Sequence, residues 1–414
     1  GVKYNHPGPA HLSVGQEAAV VGQAYLLDKD DFILGSHRSH GEILAKGLSA
    51  IEKLSEKELL DIMKNFWDGA VLKVVEGNVK KLATDFLVYG ALAEIFARET
   101  GFNKGLGGSM HAFFTPFGIY PNNAIVGGSA DISVGAALFK KVNRKKGVVI
   151  ANIGDASLGC GPVWEGIVLA TMDQYKQLWE GEFQGGLPLI FNIMDNQYGM
   201  GGQTCGETMG YGMPARVGAG VNPEQMHAER VDGFNPLAVI DAIKRKKDII
   251  ARKDGPVLLD TLTYRYTGHS PSDASSYRTK EEVDAWMEHD SIESYRNELI
   301  KAKVAGENEL DAVKENVVRL ITDICALATN DDVSPRMDLQ KDPDAIGKLM
   351  FSNQKVEKLD DRECDVLMPL EENPRVQQIS KKIRTAFKDG QPVPKNRMYQ
   401  LRDGIFEAII HRFY

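Results

Sequence analysis

The sequence predicts an α/β fold, a parallel sheet flanked by helices, on three observations. Apolar, β-rich runs at 147–153, 188–194 and 256–263 alternate with stretches of helical periodicity. The first two runs end in side-chain oxygens, Gly154-Asp155-Ala156-Ser157 and Asp195-Asn196-Gln197-Tyr198, at the strand ends where open α/β sheets hold ligands. Between them a helix is expected from Pro162, a residue suited to a first turn, with Val163, Trp164, Ile167, Val168, Ala170, Thr171 and Leu178 on its apolar face. Strand, helix, strand makes the two strands parallel and brings Asp155 and Asn196 side by side. Hard oxygen ligands so placed suit Mg²⁺ and a diphosphate.

In chain order, residues 1–329 read as one α/β unit. Within it the stretch 58–105, with Leu59, Leu60, Ile62, Met63 and the run from Leu87 to Ala97, reads as helical. Its apolar content is expected to cover a face between subunits. The turn-rich stretch 180–186 is expected to lie outside the sheet. Residues 330–396, with Asp331, Asp332, Lys355, Lys358, Asp360, Asp361, Pro369 and Pro374, read as a charged connector. After Pro392 and Pro394, residues 397–414 open an amphipathic helix.

Composition excludes several classes. With 414 residues, 43% hydrophobic and 26% charged, the chain can bury a substantial core. A net charge of −8 argues against a nucleic-acid partner. No apolar run has the length a bilayer span needs, so no membrane partner is expected. The four cysteines lack CxxC spacing, which suggests neither zinc nor disulfides and reads as a reduced, cytoplasmic setting. Gly1 is not an initiator methionine, which leaves a preceding or removed targeting segment open. A nicotinamide fingerprint is rejected: Gly210-Tyr211-Gly212-Met213-Pro214-Ala215 has the glycine spacing but follows no apolar strand. A P-loop is absent.

Further segments carry a family resemblance. His11-Leu12-Ser13-Val14-Gly15-Gln16-Glu17, Ser36-His37-Arg38-Ser39-His40-Gly41, Gly107-Gly108-Ser109-Met110-His111, Ala124-Ile125-Val126-Gly127, Arg230-Val231-Asp232-Gly233 and Tyr264-Arg265-Tyr266-Thr267-Gly268-His269-Ser270 occur in order around the strand ends. Together they resemble the thiamine-diphosphate enzymes, and within them the α subunit of the 2-oxo acid dehydrogenase first component. Four departures stand out: the helical stretch 58–105 is longer than the family usually has there and is taken as an insertion, Ala156 follows the Gly-Asp pair where glycine is usual, Asp195 precedes Asn196 where Asn is usual, and the two halves lie roughly a dozen residues further apart than usual.

The resemblance implies the thiamin diphosphate-binding fold and a chemistry. Asp155, Asn196 and the backbone carbonyl of Tyr198 would ligate Mg²⁺; His37, Arg38, Gly154, Ala156, Ser157 and His269 would meet the diphosphate; Ala124 and Val126 would hold the aminopyrimidine. His11 is expected to face substrate, His269 to close over the cofactor, and Glu165 to relay protons through a passage between paired sites. The reaction implied is oxidative decarboxylation of a 2-oxo acid with acyl transfer to the lipoyl domain of an acyltransferase component. Residues 397–414 resemble the start of the family's β subunit, which implies a fused chain, a homo-oligomer, and an activating glutamate beyond Tyr414. An acetoin-cleaving dehydrogenase, consistent with His37-Arg38, a transketolase-like carboligase and a non-catalytic relative are the competing readings. Which 2-oxo acid is used is not legible.

Overall fold

The computed structural model describes residues 10–222, 226–349, 369, 371–372, 377, 385–389, 391–394, 401–402, 404–405 and 408–409. The chain divides into two units, Gly1–Pro343 and Asp344–Tyr414. The first is built on a five-stranded, wholly parallel sheet: β1 (Phe32–Leu34), β2 (Val149–Gly154), β3 (Leu189–Asp195), β4 (His227–Asp232) and β5 (Val257–Leu262), in the order β1-β2-β3-β5-β4. The α/β expectation is borne out. The apolar runs form the three central strands; β1 and β4 are not anticipated, because one is three residues long and the other, at the sheet edge, buries only Val231 fully.

The helices of this unit are α1 (Glu17–Tyr25), α2 (His40–Lys53), α3 (Glu56–Asn65), α4 (Val79–Ile95), α5 (Gly128–Val142), α6 (Gly161–Ala170), α7 (Gln174–Gln177), α8 (Arg216–Val221), α9 (Pro236–Ala251), α10 (Lys280–Met287), α11 (Ser291–Lys301) and α12 (Glu307–Thr329). Strand alternation sorts the core into two layers. Val149, Ala151, Ile153, Leu189, Phe191 and Ile193 pack with Ala130, Val134, Val163 and Ile167 of α5 and α6. Ile150, Ile190, Val257 and Leu259 pack on the other side with Val239, Ala242 and Ile243 of α9. Full burial of each such side chain contributes about 1.5–3 kcal/mol before chain entropy is subtracted.

Pro162 sits in the first turn of α6, as the sequence suggests, but that helix stops at Ala170. Thr171 turns its Oγ1 back to the carbonyl of Ile167 at 2.9 Å, and Val168 and Leu178 are exposed instead of joining the apolar face.

Residues 58–105 are not continuously helical. A capping box at Ser55 and Glu58 starts α3, and Trp67 and Asp68 then adopt positive φ before α4 begins. After α4 the chain folds around Glu94, whose buried carboxylate accepts backbone N–H groups of Asn103, Gly105, Gly107 and Gly108 at 2.6 to 3.1 Å. Most of its apolar residues turn inward, into the core of the same chain. Leu59, Met63, Phe86, Phe102, Phe114 and Phe117 form a third core with Ile324 and Ala328 of α12. Gly90 permits the contact, since a Cβ there would lie 2.1 Å from the Phe102 ring.

In the second unit, α13 (Ala345–Leu349) and an antiparallel pair, β6 (Thr385–Lys388) with β7 (Gln391–Pro394), are described. Most of the 397–414 segment lies outside the described residues; 401–402, 404–405 and 408–409 are helical.

Candidate active site

Parallel pairing of β2 and β3 sets Gly154 opposite Met194. The next residues therefore emerge together at the carboxyl edge of the sheet. Asp155 opens a short 3-10 turn, and Asn196 and Tyr198 follow β3. Asp155 and Asn196 are 1% and 6% exposed, so their oxygens face an enclosed space and not bulk water. Asp155 Oδ2 accepts from the hydroxyl of Thr204 at 2.6 Å, and Asn196 Oδ1 accepts the Tyr198 N–H at 3.1 Å.

Behind these residues Arg230 holds two carboxylates, Asp195 at 2.5 Å and Asp260 at 2.8 Å. Burial pushes the Asp155 carboxyl up, against the Thr204 hydrogen bond; burial, then Asp155 and Asp260, push Asp195 up, against Arg230. A buried carboxylate edge that is costly to ionise alone is well matched to a hard cation, which supplies the missing positive charge.

A cavity of about 250 Å³ opens on this edge. Its walls include Gly154, Asp155, Ala156, Ser157, Asn196 and Tyr198 from the strand ends, His37 and Arg38 from the loop after β1, and Val126 and His269. Ala124 is half-buried and outside those walls. His11 is buried and also outside those walls, although its ring meets those of His37 and His269, with centroids 4.6 and 4.9 Å away. Glu165 is exposed on α6, outside the cavity walls, and adds to burial in raising the carboxyl of Asp131 on α5.

The structure adds Gln16, Ser36, Glu42 and Arg265 to the walls. Arg265 ends the run that forms β5 and carries charge into an otherwise apolar context, a signal the sequence did contain. Arg38 is more committed than its exposed-looking motif suggests: Nη1 donates to the carbonyl of Leu12 at 2.8 Å and Nη2 to that of His269 at 2.9 Å. It ties three loops together while lining the cavity.

The three imidazoles are uncharged near neutrality. Burial, then Arg38, lowers His11 to about 4 and His269 to about 4; burial, Arg38 and the other two rings lower His37 to about 3. The cavity thus joins an oxygen-rich edge, two guanidinium groups and neutral ring nitrogens. That donor set fits a metal-bound diphosphate.

A family profile described as "Dehydrogenase E1 component" matches residues 3–65 and 78–336, which include every cavity residue named above. The chain belongs to the dehydrogenase E1 component family. The chain is 31% identical over 312 residues to the mitochondrial pyruvate dehydrogenase E1 component subunit alpha of Dictyostelium discoideum, covering 75% of this chain and 67% of that protein. It is 30% identical over 331 residues to the pyruvate dehydrogenase E1 component subunit alpha of Rhizobium meliloti, with 78% of each chain covered. The mitochondrial subunit alpha-2 from Arabidopsis thaliana is 29% identical over 334 residues, 80% of this chain and 70% of that protein.

Family membership bears out the expected enzyme class, a thiamine-diphosphate-dependent oxidative decarboxylase of 2-oxo acids. The resemblance to an α subunit is likewise borne out. The family match leaves out 66–77, inside the 58–105 stretch. Among the described residues no helix is long and apolar enough to cross a membrane.

Proposed function

We propose that this dehydrogenase E1 component binds Mg²⁺ and thiamine diphosphate at the β2–β3 edge and decarboxylates a 2-oxo acid, with pyruvate the first substrate to test. The observation that carries the reading is the convergence of Asp155, Asn196 and Tyr198 on one cavity with Arg38 and Arg265. Asp155 supplies a charged ligand, Asn196 a neutral carbonyl, and Tyr198 its backbone carbonyl. Ala156 and Ser157 offer backbone donors to phosphate oxygens, and His37, Arg38 and His269 line the same side. When bound, thiamine diphosphate supplies the acidic carbon that attacks the substrate carbonyl and accepts the electrons released with CO₂.

Neutral His11, His37 and His269 can each donate or accept a hydrogen bond at a substrate oxygen without adding charge beside Arg38. Ala124 and Val126 supply the pyrimidine-facing segment, and exposed Glu165 a proton route toward a paired site. The acyl group then passes to the lipoyl group of an acyltransferase component.

We infer that 397–414 begin a β-type portion of the same chain, joined through 330–396, and that this portion brings the activating glutamate; a separate β subunit serves the same chemistry. A homo-oligomer follows from pairing two such units. Described cysteines are free, in accord with a cytoplasmic setting.

Calorimetric titration of thiamine diphosphate with Mg²⁺ and with chelator tests the reading. Binding is expected only with the metal, and Asp155→Ala should weaken it by at least about 100-fold, because a directly bound charge costs more than the outer partners of metal sites. Near-normal binding by that variant would sink the assignment.

A further inference from the structure

We propose that His11, His37 and His269 form a three-nitrogen site for a zinc-class divalent ion, distinct from the oxygen ligands at Asp155 and Asn196. Three separate segments bring these rings together: the stretch before α1, the loop after β1 and the loop after β5. Their ligand atoms all lie within 4.8 Å of one another, the one such group of His, Cys, Asp or Glu side chains among the described residues. Ring centroids are 4.6, 4.9 and 5.2 Å apart.

A second observation concerns their hydrogen bonding. His11 Nδ1, His37 Nε2 and His269 Nδ1 are buried with no hydrogen-bond partner, and His11 is only 7% exposed. Leaving such groups unpaired costs about 1–3 kcal/mol each, a cost that an electrophile bound among them removes.

Ligand chemistry selects the ion. Neutral imidazole suits zinc, copper and nickel, whereas Mg²⁺ prefers oxygen. Burial and the nearby guanidinium of Arg38 keep all three rings unprotonated near neutrality, so no proton competes for the lone pairs. Three histidines with an open fourth position make a familiar zinc geometry. With Zn–N near 2.1 Å, tetrahedral nitrogens lie roughly 3.4 Å apart, so the rings must draw in by about 1 Å. Arg38 and Arg265 oppose a dication, which sets the affinity well below that of a structural zinc site. Since His37 and His269 line the cavity assigned to the diphosphate, an occupying ion would crowd it. That consequence rests on the cofactor reading; ion binding itself does not.

The test is titration of the full 414-residue chain, without thiamine diphosphate, with Co²⁺ followed by visible absorption and then displacement by Zn²⁺. One ion per chain with the intense bands of four-coordinate cobalt is expected. His37→Ala and His269→Ala should each weaken binding at least tenfold with unchanged circular dichroism, while Asp155→Ala should retain it. If His11→Ala fails to fold, the other two variants still decide. Unaltered binding in both, a weak six-coordinate spectrum, or loss in Asp155→Ala overturns the site. The cofactor titration with Mg²⁺ is independent of each of these outcomes.

Discussion

Glu42 lines the cavity only 3% exposed, with Oε2 unpartnered and Oε1 accepting a long 3.4 Å bond from Ser39. Burial pushes its carboxyl up to about 7, while Ser39 and Arg38 pull the other way. A carboxyl raised on folding contributes stability that is complete below its ordinary range and lost as pH rises through about 7. Glu42→Gln removes that loss, which is at most on the order of 3 kcal/mol. The variant should therefore melt higher than the parent at about pH 8.5 and little differently at about pH 4, by circular dichroism. Equal melting at the alkaline pH would mean the charge is already compensated. His11, His37 and His269 run in the opposite sense: their stability is present above 6.5 and lost as pH falls toward about 4. Arg38→Lys tests a geometric role at the same scale. A single ammonium cannot reproduce the planar fork that reaches both Leu12 and His269 carbonyls, so cofactor affinity should fall by about 10-fold or more while the fold persists. Calorimetry beside circular dichroism separates the two effects; undiminished affinity would make Arg38 a wall residue only.

The strand ends owe their alignment to a polar ladder within the sheet. Gln23 of α1 exchanges hydrogen bonds with Asn152 of β2 at 2.7 and 3.0 Å; Asn192 of β3 donates to Asn152 at 2.7 Å, and Thr261 of β5 donates to Asn192 at 2.6 Å. All four are buried, so every partner lost leaves another polar group dry. Asn192→Ala should cost on the order of 1–3 kcal/mol per orphaned group and lower the melting temperature. Asn152→Ala combined with it should cost less than the sum of the single losses; strict additivity would deny the coupling. Asn152 and Asn192 also show what is legible in the sequence. They interrupt apolar runs without hiding them, so β2, β3 and β5, and Asp155 and Asn196 as the residues that carry oxygens past the strand ends, can be read from periodicity and run ends. β4 cannot, because an edge strand needs little apolar content, and neither can Thr204 or Glu42, which reach the site through tertiary folding from a turn and a helix. Within 58–105, helical composition does not reveal the break at Trp67 and Asp68, whose positive φ is fixed by packing and not by residue type.

At the scale of the whole molecule, the first unit leaves apolar surface beside its cavity. Ile132 and Phe139 on α5, Val168 and Leu169 on α6 and Met172 just past its end are 40–56% exposed, and Ile125, next to cavity residue Val126, is 72% exposed. The two helices that carry most of these side chains pack against each other. Exposed apolar surface of this kind suits the docking of another protein portion. No residue of the cavity walls is an obvious counterpart to the activating glutamate, since Glu42 is committed to burial next to Ser39. Both facts accord with a β-type portion covering the open side and completing the chemistry. The 414-residue chain alone should show no 2-oxo acid decarboxylation with an artificial electron acceptor, and addition of a β-type portion should restore it. Ile132→Asp with Val168→Asp should block both restoration and the gain in mass by light scattering, without changing circular dichroism, because charges in a desolvated interface are strongly disfavoured. Full activity of the chain by itself would remove the need for a partner, and assembly undisturbed by the two aspartates would move the interface to another face.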